Sequence, residues 1–72
     1  MGNDGRTKLV AMINYWIAHN EEHSQEFKEW ADRANGFGEI EVCRKILQAA
    51  REMDKASETL SQVLSKLEKK EL

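Results

Sequence analysis

Two long stretches of the chain repeat apolar positions at steps of three and four residues. In the first, Leu9, Ile13, Trp16, Asn20, His23, Phe27, Trp30 and Ala34 fall on one line, with Asn20 and His23 as polar interruptions. In the second, Cys43, Ile46, Ala50, Met53, Ser57, Leu60, Leu64 and Leu67 do the same. Such steps place side chains on one face of an α-helix. The one strong break between them is Asn35-Gly36-Phe37-Gly38. Gly36 suits the left-handed position that closes a helix, and Phe37 is placed to fold back on the last turn. Glu39 and Glu41 then follow where a new helix N-terminus is partly positive. The pattern predicts helix 1 over about 6–35, a turn at 36–38 and helix 2 over about 39–70. Residues 1–5 read as a frayed lead-in, with Asp4 or Thr7 as the first cap. The stripe keeps its phase across Asn20, so helix 1 is expected to be unbroken.

Folded back on the glycine turn, the stripes set Trp30 against Cys43, His23 against Ala50 and Trp16 against Ser57. Large then opposes small, as close packing requires. The apolar arcs are wider than one neighbour needs. Val10, Met12, Ile17 and Ala31 broaden helix 1; Val42, Leu47, Ala49, Ala56 and Val63 broaden helix 2. Each arc approaches ~180°, against the ~100° that a single partner covers. The expected fold is therefore all-α, an antiparallel two-helix hairpin that pairs as a homodimer into a four-helix bundle. Met12, Trp16, Ile17, Asn20, Leu47 and Val63 are the expected interface residues. Docking on an unrelated protein partner is the second way to cover the surplus.

Composition narrows the class. Seventy-two residues at 8.3 kDa allow one domain, spanning 1–72. Apolar residues at 40% are too many for a disordered chain, and four glycines with no proline argue against an all-β one. The longest apolar run, Leu9–Ile13, is far short of a membrane span. A single cysteine fits a reducing compartment, and no secretory leader is read at the start, so a cytoplasmic location is expected.

The net charge of −2 selects no partner, but its distribution is uneven. Helix 1 turns Glu21, Glu22, Glu29 and Asp32 outward; helix 2 turns Arg44, Arg51, Lys55, Lys66 and Lys69 outward. A basic stripe can follow a phosphate backbone. No aromatic is interleaved in it, however, and the acidic face would be repelled, so a solvated face is favoured over nucleic acid.

Candidate chemistry is confined to His19-Asn-Glu-Glu-His23 and Glu26. His19 and His23 lie one helical turn apart on one face, a spacing that lets two imidazoles reach one metal ion. Glu22 or Glu26 would extend the set, and a second subunit would complete it. Nitrogen and oxygen donors without a thiolate suit zinc, iron or nickel. The weightier reading requires no cofactor: Asn20 and His23 form a buried polar layer that fixes register. No nucleophile elbow, phosphate loop or strand is present, so the chain reads as a non-enzyme, a small interaction or regulatory module.

Trp16-Ile-Ala-His-Asn-Glu-Glu-His23, followed by Phe27, Trp30 and Ala31, resembles a small uncharacterised helical family with a Trp-Ile-x-His-Asn-Glu-Glu-His segment. There the segment precedes a second, alanine-rich amphipathic helix, matched here by Ala49-Ala50 to Ala56. The resemblance covers most of residues 9–65. It implies that the segment acts as a unit, and it implies no reaction. A fainter similarity to hemerythrin-like bundles rests on His19 and His23 alone; the further histidines and the His-x3-Glu element of a di-iron site are missing.

Overall fold

The structure, a computed structural model, describes the backbone of residues 3–70 and the side chains of residues 5–68. Two helices, α1 (Asn3–Gly36) and α2 (Ile40–Lys70), pack along each other as a hairpin. No strand occurs among the described residues. The body measures 56 × 16 × 11 Å, so it is little more than two helices side by side. At 1.5 Å per residue, the 34 residues of α1 span about 50 Å, nearly the whole length.

α1 runs unbroken through Asn20 and starts at Asn3, inside the stretch expected as a lead-in. No proline intervenes to stop it, and Gly5, which costs about 1 kcal/mol in a helix, is not enough to do so. Thr7 therefore lies within the helix and not at its cap. Residues 1–2 and the Asp4 side chain lie outside the described residues. At the open end of the hairpin, the Arg6 guanidinium donates to the Leu67 carbonyl and joins the two helices.

The turn is one glycine later than its sequence suggests. Glu39 N–H donates to the Ala34 carbonyl at 2.9 Å, and Gly38 N–H to the Asn35 carbonyl at 3.0 Å. This six-to-one and five-to-two pair is a Schellman closure, and it places Gly38 in the left-handed position. Gly38 has φ +87, the positive value that the closure needs. Gly36 is an ordinary last helical residue. Phe37 does not fold back on the last turn; it is 74% exposed. Glu39 also begins α2, because its carbonyl accepts from Cys43 N–H at 3.0 Å. One residue thus ends one helix and starts the next, which leaves no slack in the connection.

The seam on α2 follows the expected stripe: Cys43, Ile46, Met53, Ser57, Leu60, Leu64 and Leu67 are half-buried and Ala50 is buried. The seam on α1 is rotated. Ile13, Asn20, Phe27 and Ala34 belong to it as expected, but Val10, Ile17, Ser24 and Ala31 take the places assigned to Leu9, Trp16, His23 and Trp30. The tight turn explains the choice. Helices held this close pack small residues at their contact, and Ala31, Ala34 and Ala50 are all buried. A tryptophan in place of Ala31 would prop the hairpin open beside its own turn; Trp30 is instead 55% exposed. The Ser24 and Ser57 hydroxyls lie in this seam, buried without a hydrogen-bond partner of full geometry.

Two sets of substitutions check this description by thermal or denaturant unfolding. Gly38→Ala should cost about 1 kcal/mol, since a β-carbon is strained at positive φ. Gly36→Ala should be neutral or stabilise by up to about 1 kcal/mol, because nothing obstructs a β-carbon there. The opposite order would return the left-handed role to Gly36. Ser57→Ala should raise stability by about 0.5–1 kcal/mol through loss of a buried unpaired hydroxyl and gain of helix propensity. A clear loss on that change would mean that the hydroxyl has a partner in solution.

Candidate functional site

The rotation of the α1 seam decides what the two long edges of the hairpin carry. Leu9, Trp16, His23 and Trp30 each precede a seam residue by one position, and so do Val42, Ala49, Ala56 and Val63 on α2. In an antiparallel pair, positions preceding the seam on both helices lie along the same edge. Positions following the seam share the other edge, and the Lys28–Asp54 ion pair at 3.6 Å joins two such residues across it. One edge is therefore apolar but for His23. The other carries Asn14, Glu21, Lys28 and Asn35 with Leu47, Asp54, Ser61 and Glu68.

The apolar edge is open. Leu9, Trp16, Trp30, Val42 and Val63 are exposed, and Met12 extends the strip one row outward. A shallow hollow between Val42, Ile46 and Ala49 lies at its turn end. The Arg33 guanidinium sits 4.6 Å from the Trp30 ring centre, a cation–π contact that covers one face of the ring. On the polar edge, the Asp54 carboxyl is held below its ordinary value, first by the adjacent Ser24 hydroxyl and then by the Lys28 ammonium. Ser24 does not reach full hydrogen-bond geometry, so its effect is that of a nearby dipole.

Along the border of the apolar edge runs a column of rings spaced four residues apart. Tyr15 stacks on His19 with centroids 5.4 Å apart. The His19 and His23 rings meet edge to face at 4.4 Å, and Phe27 lies 6.0 Å beyond His23. The Nε2 atoms of the two histidines approach to 2.9 Å. On the far side of its ring, His23 Nδ1 is 3.3 Å from a Glu26 carboxylate oxygen. One of the two Nε2 atoms carries the proton and the other accepts the hydrogen bond, as the tautomers of the two rings decide.

The predicted site residues thus fall into groups. His19, His23 and Glu26 come together, whereas Glu22 is exposed and makes no contact with them. Among the described residues, no group of three or more His, Cys, Asp or Glu is arranged to hold a metal ion. The buried polar layer is present with a change of membership. Asn20 is half-buried in the seam and Ser24 buried, while the His23 side chain, at 39% exposed, stands beside the layer and bonds to His19. Of the expected interface set, Ile17 and Asn20 pack in the seam of their own hairpin. Met12, Trp16 and Val63 share the open apolar side, and Leu47 is half-buried on the polar edge. Trp30 and Val42 complete the open strip and were not in the expected set. Their signal was the one-residue offset from small seam positions.

Arg44, Arg51, Lys55 and Lys66 are exposed on α2, and Arg44 pairs with Glu41 at 3.5 Å. The Lys69 side chain lies outside the described residues. No described helix is long and apolar enough to cross a membrane.

No match is found among curated proteins or among solved structures. A family model does match, over residues 9–67, which takes in both seams, the turn, the ring column and the apolar edge. The chain belongs to that family, a domain of unknown function designated DUF8180.

Proposed function

We propose that this protein is a self-associating helical hairpin, an interaction or regulatory module whose apolar edge is covered by a second copy of the same chain. The one-sided apolar edge carries this reading. The chain exposes 5735 Å², against about 4,600 Å² for a compact monomer of its mass, an excess near 1,100 Å². One partner in a standard interface contributes about 800 Å². The radius of gyration agrees, at 16.5 Å against about 11 Å for a compact domain of this length.

The edge is also complementary to itself. Its α1 half is bulky (Leu9, Trp16, His23, Trp30) and its α2 half is small (Val42, Ala49, Ala56, Val63). A copy turned about a two-fold axis along the hairpin lays bulky on small twice. The same turn sets the acidic outer face of α1 beside the basic outer face of the partner's α2. This is a four-helix bundle with both turns at one end.

Sedimentation should give twice 8.3 kDa, and the melting temperature should rise with protein concentration. Trp16→Glu and Val63→Glu should each weaken the dimer on the order of a hundredfold, the cost of burying an unpaired charge. Ser61→Glu, on the polar edge, should leave it intact. A monomer whose melting does not depend on concentration would end this reading.

A further inference from the structure

The His19–His23 pair is built more firmly than an incidental contact on a helix surface. Tyr15 and Phe27 flank the two rings, and the Nε2 atoms of the two histidines face each other at 2.9 Å. On the far side of His23 the Glu26 carboxylate lies 3.3 Å from Nδ1, within reach of the carboxylate–histidine arrangement that orients a metal-bound imidazole and raises its basicity. Two nitrogens on tetrahedral zinc stand about 3.3 Å apart, so the observed 2.9 Å needs only a slight opening.

Two ligands do not fill a site, and the same chain supplies no third among its described residues. A two-fold axis along the hairpin keeps every residue at its own height. In an antiparallel hairpin facing residue numbers keep a constant sum, which the two ends of the turn, Gly36 and Ile40, and the contact of Arg6 with the Leu67 carbonyl set near 73–76, so His23 lies near the level of residues 50–53. The row of α2 bordering the apolar edge is Lys45, Glu52, Thr59 and Lys66, and Glu52 alone of these has a ligating carboxylate. Glu52 is exposed and accepts a single hydrogen bond, from Gln48 Nε2 at 3.2 Å, so it is free to be re-aimed.

We propose that His19 and His23 are two ligands of a divalent transition-metal site of the zinc class, and that Glu52 of the partner subunit is the third. Each dimer then holds two such sites, and the fourth position of each is left to water. The inference rests on the self-association proposed above.

Untagged, chelator-treated protein titrated with zinc alone, by calorimetry with sedimentation alongside, tests it. The expected result is one zinc per chain bound to a dimer. His19→Gln, His23→Gln and Glu52→Gln should each weaken binding at least tenfold, with helicity by circular dichroism and the dimer itself unchanged. Glu52→Gln binding zinc like the wild type would overturn the proposal, as would one zinc per two chains. A dimer that binds no zinc would overturn it and leave self-association standing. A monomer with and without zinc would overturn both.

Discussion

The three-residue link between the helices is the constraint from which the rest follows. Gly38 closes α1 and Glu39 opens α2, so the axes start out close and have no loop to separate them. Close axes require small residues at the contact, and the seam supplies Ala31, Ala34 and Ala50 there. Choosing Ala31 over Trp30 sets the phase of the whole of α1, because an α-helix cannot turn one residue inward without turning its neighbours too. The tryptophans are thereby placed outside the seam, in register with the small residues of α2 along one edge. A decision made by one glycine and an alanine at one end thus determines a surface 56 Å long.

This chain of causes explains which parts were legible beforehand. The α2 stripe could be read directly because its apolar residues cluster on one face more sharply than those of α1. On α1 the choice between three- and four-residue steps was open at each repeat. Side-chain size favoured Trp16 and Trp30, while the packing distance favoured Ile17 and Ala31. Size is visible in a sequence; distance depends on the turn, and the turn was placed at Gly36 when Gly38 carries it. The two glycines are distinguished only by which carbonyls their neighbours reach. The ring column was half legible: the four-residue spacing of His19 and His23 predicted their meeting, while the continuation of the column to Tyr15 and Phe27 was not read from the sequence.

The polar seam residues have a different logic. Asn20, Ser24 and Ser57 interrupt an apolar seam and weaken it, and two of the three have hydroxyls without a full partner. A uniform leucine seam between two long helices would slide by whole turns at little cost. Polar residues at chosen heights penalise such slips, since each would then face hydrocarbon. Lys28 with Asp54 on one edge and Arg6 with Leu67 at the open end reinforce the same register.

Register matters because the hairpin by itself is a thin object. Among the described residues, only Ile13, Ala31, Ala34 and Ala50 are buried apolar side chains, and three of these are alanines. So small a buried core offers little against the conformational entropy of ordering two helices over thirty residues long. The larger apolar side chains, Trp16, Trp30, Leu9 and Val63 among them, contribute fully only when something covers them. In the proposed dimer, folding and association are one process. The seam sets the alignment of the two halves of the edge, and the edge supplies the burial that the seam lacks. On this account a change confined to the turn propagates to assembly, since any shift of α2 against α1 misaligns bulky and small residues along the full strip.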